Sequence, residues 1–129
     1  MLSGLLQHPK NESALRGKEV QFACTTNYGP VDWIFVRLGS HEEEKIVESD
    51  EVVQIFQSKA TVAKNGDLYQ LFVSNVERTD AGTYSCVDNG GLGSRGSAEL
   101  TVIGKTTIHV FFTSSISRRS VRPIYVYQV

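Results

Sequence analysis

Long hydrophobic runs are missing from this chain of 129 residues. No stretch approaches the ~18 apolar residues that a membrane-crossing helix needs. The opening Met1-Leu2-Ser3-Gly4-Leu5-Leu6 falls short of the ~7–15-residue apolar core of a secretory leader; an exported form is therefore expected to have had its leader removed or replaced. Cysteine is scarce. Cys24 and Cys86 stand 62 positions apart, which fits no CxxC metal or redox motif and leaves two readings: free buried thiols, or one long-range disulfide formed in an oxidising compartment. His8, His41 and His109 lack the spacing of zinc ligands. The acidic run Glu42-Glu43-Glu44 lacks the spaced ligands and glycine turn of a calcium loop and reads as a solvated turn. There is no nucleophile elbow and no glycine-rich phosphate loop between a strand and a helix. No catalytic residue, metal or cofactor is expected, and the chain is not expected to be an enzyme.

Acid is absent from one end. Residues 1–104 hold 9 basic and 14 acidic side chains, net −5, whereas residues 105–129 hold Lys105, Arg118, Arg119 and Arg122 and no acid, net +4. The near-neutral total of −1 is thus a sum of unlike parts. The break suggests a domain over residues 1–104 and a basic, β-prone tail over 105–129, read as a linker, the start of a truncated next domain or read-through, with an edge strand that packs back and a basic arm for an acidic surface as the other readings. The acidic main part disfavours nucleic acid as a partner.

What is present is a period of two. Val20, Phe22 and Cys24 fall on one face of a strand; Trp33 and Phe35 oppose Ile34 and Val36 on another. Tyr69, Leu71 and Val73 alternate, as do Tyr84 with Cys86, and Ala98, Leu100 and Val102. Each run has the pattern of a half-buried strand. Weaker strands are expected over residues 45–48, 52–56 and 59–63. Turn residues separate the runs: Tyr28-Gly29-Pro30, Asn65-Gly66 and Asn89-Gly90-Gly91, with Asn-Gly a strong hairpin signal. No helix of several turns is expected. Short strands at regular spacing describe an all-β sandwich.

Cys24, Trp33 and the run Asp80-Ala81-Gly82-Thr83-Tyr84-Ser85-Cys86 together resemble an immunoglobulin domain of variable (V) type with intermediate-type features, over roughly residues 5–103. The resemblance implies a Greek-key sandwich of two antiparallel sheets with a Cys24–Cys86 inter-sheet disulfide. It implies a core in which Trp33, Leu71 and Tyr84 pack near that bridge, with Tyr84 making a tyrosine corner. It also implies an ion pair between Lys59, at the start of strand D, and Asp80. The antibody joining pattern Phe-Gly-x-Gly is absent; Leu92-Gly93-Ser94-Arg95 stands near its place.

Such domains act by presenting surfaces. With Trp33 and Phe35 inward, Ile34, Val36 and Val87 would share the exposed face of the GFCC′ sheet, with Asp32 and Ser85 as its polar part. This is the expected partner-binding face. A second candidate is the loop tips, Tyr28 on one side and Asn89, Gly90, Gly91 and Arg95 on the other, with the glycine-rich loop expected to be mobile and Arg95 its natural anchor. Asn11-Glu12-Ser13 is a glycosylation sequon, so Asn11 is a candidate site in an exported chain. The expected role is an extracellular or cell-surface recognition module of a receptor or adhesion protein, which binds a protein or a second copy of itself. Other roles are a structural spacer in a multidomain adhesion or matrix protein, and an innate-type domain for microbial carbohydrate, for which Tyr28 is the one obvious exposed aromatic.

Overall fold

A computed structural model describes residues 4–109 and 123–128 of the chain, with side chains described for residues 4–104. The strands are β1 (Leu5–Gln7), β2 (Glu12–Leu15), β3 (Val20–Thr26), β4 (Val31–Arg37), β5 (Glu43–Glu48), β6 (Glu51–Val52), β7 (Ala60–Asn65), β8 (Leu68–Val73), β9 (Gly82–Asp88), β10 (Arg95–His109) and β11 (Pro123–Gln128). One sheet runs β1-β3-β8-β7; the other runs β11-β10-β9-β4-β5-β6, with β2 parallel against β10. The first strands therefore change sheets: β1 pairs with β3, and β2 crosses to the opposite layer. This is the two-layer solution for strands that each carry one apolar face.

The alternating residues meet between the layers. Phe22, Trp33, Leu71 and Tyr84 are among the largest fully or almost fully buried side chains. Tyr84 lies between Phe22 and Phe35, with ring centroids 4.9 and 4.7 Å away. Cys24 of β3 is bonded to Cys86 of β9, joining the two sheets. Closing a loop of that length is worth about 4 kcal/mol in the chain-entropy picture.

One expectation changes. Residues 52–56 do not continue as a strand; β6 ends at Val52 and Gln54–Phe56 form a 3₁₀ turn. Val53 N–H donates to Ile46 O, and then Phe56 N–H turns back to Val53 O. The chain must leave one layer here to enter β7 in the other, so the ladder has to break; Phe56 packs half-buried against the core while Ile55 stays exposed. The composition break at Gly104 falls inside β10. β10 runs through it to His109, and Gly104 to His109 pair antiparallel with β11. Backbone pairing does not depend on the charge of the side chains. The expected tail is in this part backbone-paired, and residues 110–122, with Arg118, Arg119 and Arg122, lie outside the described residues.

Candidate functional site

The lower end of the sandwich is a polar lock. Lys59 Nζ lies 2.7 Å from Asp80 Oδ2 and donates to Asn75 O at 2.6 Å. Asp80 also closes a capping box: its carboxylate accepts Glu77 N–H at 2.7 Å at the start of the 3₁₀ turn Arg78–Asp80. Tyr84 Oη donates to Asp80 O at 2.6 Å, the tyrosine corner. Burial holds the Tyr84 phenol well above its usual range, and the Asp80 charge adds to the shift. Gly82 follows with φ 149°, where a Cβ would stand 2.2 Å from Val36 O; only glycine fits that approach.

The outer face of β10-β9-β4-β5 carries the residues singled out from the sequence. Register sets Asp32 beside Val87, Ile34 beside Ser85, and Val36 beside Thr83. On β10, Arg95 stands beside Val87 and Ser97 beside Ser85; on β5, Lys45 stands beside Ile34 and Glu43 beside Val36. The face is less open than alternation implies: Asp32, Ile34 and Ser85 are only 6%, 9% and 4% exposed, and Val36 and Val87 are half-buried. One reason is a connection across it. Arg95 Nη1 meets Glu43 Oε2 at 2.6 Å, from the outer strands of the four. An arginine stem that spans apolar neighbours covers them while its head stays in water. The Arg95 hydrogen bond, then its charge, holds the Glu43 carboxyl below the usual range.

This pair corrects two readings. Arg95 is the first residue of β10 and not a residue of the loop itself. Glu43 and Glu44 begin β5 and are not wholly a solvated turn; Glu44 lies 3.5 Å from Arg37. Ser85 is occupied by a 2.7 Å hydrogen bond with Ser97. Asp32 accepts Ser49 N–H at 2.8 Å and Asn89 Nδ2–H at 3.2 Å, and lies 3.5 Å from Lys45 Nζ. The hydrogen bond to Glu48, then the Asp32 charge, raises the Lys45 ammonium above its usual range. Asp32 thus holds the β5–β6 turn, where Ser49 and Asp50 have positive φ, a conformation that costs energy outside glycine.

The loop tips converge as expected, and they are bonded together. Asn89 N–H donates to Pro30 O at 2.8 Å, and Gly90 N–H to Tyr28 O at 2.9 Å. A Cβ on Gly90 would stand 2.0 Å from Gly29 O. Glycine there serves close approach of two backbones, where the sequence suggested mobility. Leu92, at this tip, is 64% exposed. Reading residues in isolation took Glu43 for part of a solvated turn and passed over Lys45 and Ser49; the register of the β4–β5 hairpin is the signal that would have placed the first two.

A cleft of about 620 Å³ opens at the other end, lined by Arg37, Leu38, Arg78, Thr83 and Glu99 among others. Its described lining contains no histidine, cysteine or aspartate. No cluster of three or more metal-binding side chains occurs among the described residues. No described helix is long and apolar enough to cross a membrane.

A disulfide-bridged Greek-key sandwich with a tyrosine corner and a half-covered outer sheet face defines an immunoglobulin-type domain. Residues 7–103 match the immunoglobulin V-set domain family, and the chain belongs to that family. Among curated proteins it is 29% identical over 112 residues to the B-cell antigen receptor complex-associated protein beta chain of Mus musculus, covering 82% of this chain and 46% of that protein. It is 34% identical over 104 residues to Protein sidekick of Drosophila melanogaster, covering 78% of this chain and 4% of that protein. It is 32% identical over 102 residues to the Netrin receptor DCC of Rattus norvegicus, covering 76% and 6%. The chain thus spans about half the length of the first relative and a small part of the others. A solved structure described as Dpr11 IG1 bound to DIP-gamma IG+IG2 superimposes with a TM-score of 0.65 at 19% identity, over 81% of this chain and 52% of that one, a likeness of fold.

Proposed function

We propose that this domain is an extracellular recognition module of a cell-surface receptor or adhesion protein, which binds a protein partner through the outer face of β10-β9-β4-β5. The observation that carries this reading is the row of Ile34, Val36 and Val87 beneath an exchangeable ion pair, Arg95–Glu43. An apolar strip with charges of both signs at its rim has the anatomy of a modest protein interface. The partner that fits it offers an apolar patch with a carboxylate for Arg95 and a cation for Glu43. Two relatives with receptor names and the inter-sheet disulfide support the extracellular placement. The spacer role predicts a hydrophilic outer face, against which Ile34, Val36 and Val87 count. The carbohydrate role calls for exposed aromatics in a groove, against which a tip holding Tyr28 and Leu92 counts.

A second copy satisfies the same chemistry. In a two-fold pair the two internal Arg95–Glu43 bridges exchange for two across the interface, because an isologous contact places each residue against its complement. Light scattering and analytical ultracentrifugation test this. Val36→Glu should abolish association, and so should Arg95→Glu or Glu43→Arg alone; mixing the two charge variants should restore a heterodimer. A monomeric wild type whose capture of receptor ectodomains is unaffected by Val36→Glu would remove this face from the function altogether.

A further inference from the structure

One hydrogen bond at the opposite edge of the same sheet has no part in that interface. Asn11, just before β2, is exposed, as are Glu12 and Ser13. Its Oδ1 accepts Glu99 N–H from β10 at 2.8 Å. That bond fixes the orientation of the amide and uses only the oxygen. Nδ2 makes no hydrogen bond to a described residue. Asn11-Glu12-Ser13 is the one Asn-x-Ser/Thr triplet in the chain. The acceptor is therefore held at the surface with its nitrogen unbonded by any described residue, and a substituent on Nδ2 leaves the Oδ1 bond to Glu99 in place.

The same place is where the sheet needs cover. β2 pairs with β10 alone among the described residues, so its other edge is unpaired, and Leu15 there is 37% exposed. Unpaired strand edges invite pairing with another chain, and proteins block them with bulk or charge.

We infer that Asn11 carries an N-linked glycan that caps the β2 edge and confines partners to the sheet face and its β5 side. The modification transfers an oligosaccharide from a lipid-pyrophosphate carrier. A bond forms between Nδ2 and the anomeric carbon, the sugar–phosphate bond breaks, Nδ2 loses one proton and the pyrophosphate leaves on the lipid. The product is bulky and solvating.

The inference rests on the extracellular reading, and its test can fail independently of partner binding. The whole chain, placed behind a cleavable leader and secreted from mammalian cells, is treated with peptide N-glycosidase F. The expected result is a mass decrease with conversion of Asn11 to aspartate. Ser13→Ala should be secreted without the glycan, its mass differing from that of the enzyme-treated chain only by the lost serine oxygen and the Asn11-to-aspartate change, with an unchanged unfolding midpoint because Asn11 still accepts Glu99 N–H. A secreted protein with no glycan on Asn11 overturns the proposal. Capping is read in the Val36→Glu background, where the sheet face cannot pair: Ser13→Ala should raise the concentration-dependent scattering mass, and an unchanged mass overturns the capping role.

Discussion

Lys59–Asp80 and Arg95–Glu43 are ion pairs of almost the same length, 2.7 and 2.6 Å, in quite different surroundings. The first is 26% and 16% exposed, and each member has further partners: Asn75 O for Lys59, and Glu77 N–H for Asp80. The second is 43% and 49% exposed, has no further ion-pair partner among the described residues and crosses the face that carries Ile34, Val36 and Val87. The first joins the turn before β7 to the turn before β9 and so ties together parts that must stay fixed. The second crosses a face between β10 and β5. Distance alone does not rank them; desolvation and the number of shared partners do.

The largest effect that separates the two lies in Asp80. Asp80→Ala leaves Lys59 half-buried without its carboxylate and Glu77 N–H without an acceptor, and should cost about 2 kcal/mol, read as a lower midpoint in urea unfolding. A loss no greater than that of an exposed lysine–glutamate pair would place both bridges in one class. Arg95→Ala should leave the urea midpoint where it is while it makes the outer face more accessible, detected as increased binding of a hydrophobic dye. A fall in stability comparable to that of Asp80→Ala would make this bridge structural too. The smallest effect is electrostatic. Glu43 has a depressed folded-state pKa, so the bridge is fully present above the ordinary glutamate value and is lost as pH falls through the folded value. Carboxyl NMR titration should place the Glu43 midpoint below that of an ordinary glutamate, and Arg95→Ala should return it to that range.

Much of the first region was legible in the sequence. Cys24, Trp33, Tyr84 and Cys86 fall on inward phases of their strands, and spacing along a strand is fixed by a period of two. The Asp80 run carries the turn and the corner within one short segment. Arg95 and Glu43 were illegible as a pair because they are 52 residues apart and lie on strands separated by two others. Their meeting depends on strand order, register and the twist of the sheet. The outer face was legible as a set of residues and misjudged as a surface: alternation shows which side Ile34 takes, and the side chains arriving from neighbouring strands determine how much of it water reaches.

The charge asymmetry at Gly104 separates the same two kinds of information. Composition changes there, but β10 continues through it and pairs with β11. By itself, the sequence determined the fold class and the buried core, because both follow from local periodicity, while the Lys59–Asp80 pair followed only from the family resemblance. Only the tertiary structure decided which charges meet across the sheet, how far the apolar strip is covered and which edge is left to Asn11. Those outcomes depend on long-range register, which no local pattern records.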